Sequence, residues 1–138
     1  MDLPSICKAL FLVILSFSIL NAQTPKRTFR ATAYCHYGKG CTKGQYKGIT
    51  ATGVKVRRGV IAVDPRLIPL GSKVEIIEPV NYAGMYDAAD TGGAIKGDII
   101  DIWVPDITEA RQFGRKKVVL RVYPPAPKPK KKKFTKEI

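Results

Sequence analysis

From Thr28 onward, apolar and polar residues alternate in short runs separated by Gly, Pro and Asp, a period-two pattern that predicts strands with hardly any helix. Thr28 to Tyr34 has the alternation and the β-branched and aromatic content of a strand. Val60 to Val63 is a short apolar run stopped by Asp64-Pro65, and Lys73 to Glu78 is another that ends at Pro79. Met85 to Ala89, Ile99 to Val104 and Lys117 to Tyr123 complete the set, while Gly38 to Gly48 is a glycine- and lysine-rich loop. One helix is signalled. Asp106 can cap it, Glu109 stands three residues on as in a capping box, and Gly114 follows the last turn. Short strands with a single capped helix predict a mainly β fold closed into a small barrel.

The same pattern repeats within the chain. Asp64 is followed by Gly71 and the strand that begins at Lys73, and Asp90 by Gly97 and the strand that begins at Ile99; aspartates and glycines are both offset by 26 (90 − 64 and 97 − 71). An internal repeat marks a unit that buries its apolar face against its twin. Two such units are expected to bring their acids together.

The two ends differ from this middle. Lys8 precedes an apolar run that continues to Leu20 and ends at Asn21-Ala22, the pattern of a secretory signal spanning residues 1–22. The run is short for a bilayer span, so an uncleaved anchor is the lesser alternative. The domain then occupies residues 23–123, and residues 124–138 form a Pro/Lys-rich tail whose prolines and mutually repelling lysines predict disorder. The formal charge is +13, of which the 23–123 domain carries 17 basic against 9 acidic residues. That balance favours a polyanionic substrate or surface, with the tail as a contact to an anionic envelope polymer. Nucleic acid is not expected, because the aromatics do not interleave with the basic residues. The chain is expected to act outside the cytoplasm, in the periplasm or cell envelope, at the outer membrane, or secreted.

Export bears on the cysteines. Without residues 1–22, Cys35 and Cys41 are the only pair, and an oxidising compartment predicts a disulfide between them. Metal ligation with His36 is the alternative, but two thiols and one imidazole leave a four-ligand zinc site incomplete. No metal site and no cofactor are expected.

Six segments in order, Ala31-Thr32-Ala33-Tyr34-Cys35, Thr50-Ala51-Thr52-Gly53, Val60 to Pro65, Ile68 to Gly71, Asp90 to Gly97 and Ile100-Asp101-Ile102, resemble the 3D domain, named for its three aspartates. The resemblance spans about Arg30 to Val122. It implies a six-stranded double-psi β-barrel related to the membrane-bound MltA-type lytic transglycosylases and to other muralytic proteins, and it places the family aspartates on Asp64, Asp90 and Asp101. The larger transglycosylases carry a second domain that forms half of the substrate groove. None is expected here, so a protein partner is a candidate to complete the groove.

Cleaving a glycosidic bond needs a protonated carboxyl group at the leaving oxygen. Asp101 lies in the apolar run Ile99 to Trp103, where desolvation and a neighbouring Asp90 should both raise its pKa, which makes it the candidate acid. In the resembled enzymes one such residue serves as acid and then base while the C6 hydroxyl of N-acetylmuramic acid attacks the anomeric carbon, giving a 1,6-anhydro product. Asp90 and Asp64 are expected either to stabilise charge developing on the sugar or to cap their own loops. Thr91 adjoins Asp90, and Gly92 and Gly93 leave space for a sugar or for unusual backbone angles. Lys96 can meet a peptidoglycan carboxylate or remain solvated, and Tyr34 and Thr52 are candidates to line the groove. Trp103 shares the face of Asp101 and is a weaker candidate to stack on a sugar; Ile102 faces the other way.

The expected function is therefore a lytic transglycosylase that cleaves the MurNAc-GlcNAc bond of peptidoglycan glycan strands. Two rivals stand beside it. Asp90-Thr91-Gly92 matches the tripeptide of aspartic proteases, but Asp64-Pro65-Arg66 does not supply a second copy. A barrel of this class can also bind or loosen wall polysaccharide without cutting it.

Overall fold

The computed structural model describes residues 24–36, 41 and 48–127. The expected signal segment, most of the Gly38 to Gly48 loop and the lysine block of the tail lie outside these residues. Six strands form: β1 (Arg27–Tyr34), β2 (Val60–Ala62), β3 (Lys73–Glu78), β4 (Gly84–Asp90), β5 (Ile99–Trp103) and β6 (Lys116–Tyr123). They close in the order β1-β5-β2-β4-β3-β6. The fold is the mainly β, six-stranded closed barrel that the alternation predicted, with strand limits within two residues of those read from the sequence. A one-turn 3-10 helix at Val80–Tyr82, which the sequence reading lacked, carries the chain from β3 to β4.

Closure follows from the alternation. Phe29 and Ala31 of β1, Ile61 of β2, Val74 and Ile76 of β3, Ala88 of β4, Ile100 and Ile102 of β5, and Val118 and Leu120 of β6 all project into one core. Each large aliphatic or aromatic side chain buried there stabilises the fold by about 1.5–3 kcal/mol. The residues between them, Thr32, Asp101 and Lys117 among these, must then face away from the barrel interior.

The single α-helix, α1 (Ile107–Phe113), starts where its signals place it. The Asp106 carboxylate accepts from the Glu109 amide at 2.9 Å, and Gly114 ends the helix with φ 60°. The capping box is not reciprocal: the Glu109 carboxylate is taken by Arg58, with two contacts of 2.7 Å. Phe113 brings the end of α1 onto the barrel, edge-on to Tyr82.

The 26-residue repeat is a structural one. β2, a loop and β3 form the first unit; β4, a loop and β5 form the second. Gly71 and Gly97 hold equivalent positions with φ 88° and 66°, values that admit glycine readily and other residues poorly. The Gly71 amide donates to the Ala88 carbonyl at 2.9 Å, and the Gly97 amide to the Asp64 carboxylate at 2.8 Å, so each loop is pinned to the other unit.

Candidate functional site

Strand register decides which acids meet. β2 lies between β4 and β5, and Ala62 is the Cα partner of Asp90 on one side and of Asp101 on the other. β1 runs parallel to β5, which sets Thr32 beside Asp101 and Tyr34 beside Trp103. Four polar side chains are gathered in this way. Thr32 Oγ1 donates to Asp101 Oδ1 at 2.8 Å, and the Tyr34 hydroxyl donates to Asp90 Oδ2 at 2.9 Å. The other oxygen of Asp90 accepts from the amides of Ala51 and Thr91, at 3.0 and 2.9 Å.

The electrostatics separate the two acids. Asp101 is partly buried, and desolvation raises its pKa above the usual carboxylate value; the Thr32 hydrogen bond opposes this, and the charge of Asp90 adds to it. Burial first, and then Asp90, push the Tyr34 phenol upward, so it stays protonated and remains a donor. Asp90 is held in place by three donors, the Tyr34 hydroxyl and the amides of Ala51 and Thr91.

Asp64 is placed differently. Its carboxylate is 2% exposed and turned onto its own loop, where Arg66 contacts it through Nε and NH2, the latter at 2.6 Å. The Arg66 side chain, with the amides of Gly97 and Arg66, holds Asp64 far below the normal carboxylate range. Its hydrogen bonds thus go to the loops and not to either of the other acids. The twin acids of the repeat, Asp64 and Asp90, share no hydrogen-bond partner; strand register instead sets Asp90 and Asp101, both of the second unit, on either side of Ala62, and Asp64 joins the two units.

The loop at 50–54 forms the wall beside Asp90. The Thr52 amide donates to Ala89 at 3.0 Å, the Thr50 and Thr52 hydroxyls lie 3.1 Å apart, and Val54 donates to Thr50 Oγ1 at 3.2 Å. Thr52 also lines a cavity of about 680 Å³ with Leu70, Gly71 and Pro124 to Pro127, so the described part of the tail passes over the first loop.

The two glycines after Thr91 differ. A Cβ on Gly92 would stand 2.8 Å from Ile95 Cγ1, whereas one on Gly93 would meet nothing within 4 Å. Neither has positive φ, so close packing and not backbone strain accounts for Gly92. Lys96 is exposed beside Gly97. Trp103 packs against Val56, Val60, Ala89 and Tyr34 at 9% exposure, a position that supports the Tyr34 ring and leaves no face for a sugar.

Cys35 and Cys41 are joined in a disulfide with Cα atoms 5.1 Å apart, packed against Val104. The thiols are therefore unavailable to a metal alongside His36, whose ring instead meets Tyr34 edge-on at 5.3 Å. Among the described residues, no three His, Cys, Asp or Glu side chains converge as metal ligands would.

Thr32 and Arg66 were not named as site residues from the sequence. Arg66 had a local signal, two residues after Asp64. Thr32 lies in the Ala31-to-Cys35 segment, but its role depends on the parallel β1–β5 register, which no local pattern encodes.

The 3D domain family model matches residues 59–123, which include Asp64, Asp90 and Asp101. The chain is 46% identical over 99 residues to the cell wall-binding protein YocH of Bacillus subtilis (strain 168), covering 69% of this chain and 31% of that protein. It is 44% identical over 107 residues to YabE of the same organism, covering 74% and 24%. The chain thus spans about a third or less of these relatives' length. Among solved structures, MltA from E. coli matches over 54% of this chain and 26% of its own, with 25% identity and a TM-score of 0.44. The match to the lytic transglycosylase LtgG of Burkholderia pseudomallei covers 55% and 26%, with 29% identity and a TM-score of 0.44. With its matched segment, its closed barrel and its three aspartates in place, the chain carries a 3D domain over residues 59–123.

Proposed function

We propose that the protein is a peptidoglycan-cleaving lytic transglycosylase acting outside the cytoplasm, with Asp101 as its acid and base. The observation that carries this reading is the pairing of a partly buried carboxyl group of raised pKa with a second carboxylate fixed by three donors. Two carboxyl groups in such different surroundings, one desolvated beside Thr32 and one held by three donors, are suited to different roles. Asp101, protonated, donates its proton to the oxygen that leaves the anomeric carbon of MurNAc. The resulting carboxylate then accepts the proton of the C6 hydroxyl as that oxygen bonds to the anomeric carbon. One C–O bond breaks and one forms, the proton returns to Asp101, and no water is consumed. Asp90, anchored by Tyr34, Ala51 and Thr91, stabilises the positive charge that develops on the sugar ring.

A second reading is wall binding without cleavage, favoured by the description of the relative YocH as cell wall-binding. The two separate in a turbidity assay on purified peptidoglycan. Catalysis predicts that the full chain clears the suspension and that Asp101→Asn does not. Sedimentation of both forms with an uncleared wall would replace the first reading by the second.

A further inference from the structure

Thr32 donates to Asp101, and it also lines a cavity of about 710 Å³ that extends along β1 to Thr28 between the 94–99 segment and the start of β6. The apolar part of its wall comes from Ala94, Ile95 and Ile99, and the charged part from Arg30, Arg115, Lys117 and Lys116, of which only Lys116 rests over aromatic rings, those of Tyr82 and Phe113. Arg30 and Lys117 are direct Cα partners across the antiparallel β1–β6 pair, and both are exposed. Like charges opposite one another in a sheet are destabilising. Among the described residues, neither forms an ion pair, nor does Arg115, and the cavity's one acid, Asp98, faces Arg27 at 3.6 Å. Three unneutralised cations around an apolar hollow form a site of positive potential that an anion would relieve.

We propose that this cavity binds an acidic peptide made of small apolar residues and free carboxylates, the chemistry of the peptide stem that branches from muramic acid. The proposal deepens the reading of Asp101 and rests on it in one respect. The stem is attached to the sugar whose glycosidic bond Asp101 would protonate, so it must leave the glycan close to the acid, where Thr32 opens the cavity. Alanine methyl groups then lie on Ala94, Ile95 and Ile99, and the carboxylates reach Arg30, Lys117 and Arg115. A guanidinium and an ammonium side by side suit two such groups, one bidentate and one a point contact. The volume lies within the roughly 300–1,000 Å³ of small-ligand sites.

The test is titration of the full chain with a sugar-free, N-acetylated tetrapeptide of alanine, γ-linked glutamate, diaminopimelate and alanine, which carries three carboxylates against one ammonium, followed by calorimetry and by backbone amide NMR. Binding is expected to move the amides of Thr28, Arg30, Ile95, Ile99 and Lys117. Affinity should fall about tenfold when the peptide carboxylates are amidated, and by a similar factor in Arg30→Gln/Lys117→Gln. Both side chains are exposed and their like charges face each other, so the double variant should melt no lower than the parent, and Arg30→Lys should recover part of the affinity. Equal binding of the amidated peptide, or amide shifts elsewhere, would overturn the proposal. Tighter binding of a glycerol-phosphate oligomer would overturn it too and assign the cavity to a phosphodiester polymer. The peptide has no glycosidic bond, so binding without wall cleavage would remove the catalytic reading and leave the cavity assignment, and cleavage without peptide binding would do the reverse.

Discussion

The Asp64 carboxylate and the Gly97 amide, 33 residues apart in sequence, meet at 2.8 Å and tie the first repeat unit to the second. Asp64→Ala leaves the Gly97 and Arg66 amides without this acceptor and should lower the melting temperature by roughly 5–10 °C. The pH dependence has a definite sign. A carboxylate whose folded pKa is depressed contributes stability above its unfolded value of about 3.9, and that contribution is lost as pH falls toward the folded value. Thermal melts from pH 2 to 6 should therefore be steeper for the parent than for Asp64→Asn; parallel curves would mean that Asp64 does not link the loops.

Asp101 carries the opposite sign. Its raised pKa means that the protonated form is favoured in the folded protein, so wall cleavage should decline as pH rises through that raised value. Thr32 stabilises the charged form, and Thr32→Val should shift the alkaline limb of the pH profile to higher pH. Asp90→Asn removes a like charge and should shift it to lower pH. Limbs that stay fixed in both variants would assign the limb to another group.

Tyr34→Phe removes a single hydrogen bond, the one from the phenol to Asp90 Oδ2. Its stability cost should be about 1 kcal/mol, since the ring remains packed on Trp103. Cleavage should fall roughly tenfold in kcat with little change in KM, because Asp90 is proposed to act on charge that appears only as the bond breaks. A change confined to KM would instead place Asp90 in substrate binding.

Much of this arrangement was legible in the sequence, and the boundary of what was legible has a physical cause. Strands and helix limits depend on neighbours within a few residues, so the alternation around Phe29 and Ile100 and the cap at Asp106 could be read directly. The repeat placed Gly71 and Gly97 at matching turns, and both have the left-handed φ that glycine tolerates. Burial of Asp101 followed from its apolar strand neighbours. The division of labour among the aspartates did not follow. Asp64 and Asp90 occupy equivalent sequence positions, yet Arg66 stands two residues after one of them, and Tyr34 and Ala51 reach the other from distant segments. Position in a repeat fixes the backbone site, and only the partners assembled there fix the chemistry.

The Cys35–Cys41 disulfide closes a short loop with a sequence separation of 6, for which chain entropy predicts about 2 kcal/mol of stabilisation. Melts with and without dithiothreitol should differ accordingly, and Cys35→Ser/Cys41→Ser should match the reduced parent. Because Cys35 follows Tyr34 directly, the same variant should also lose part of its activity at temperatures where it stays folded.

The most direct test of Asp101 as acid and base is mass spectrometry of the soluble fragments released from purified peptidoglycan by the full chain and by Asp101→Asn. The predicted result is muropeptides ending in 1,6-anhydro-MurNAc from the parent and none above background from the variant. Equal release by the variant, or fragments from the parent that end in a reducing sugar, would contradict it.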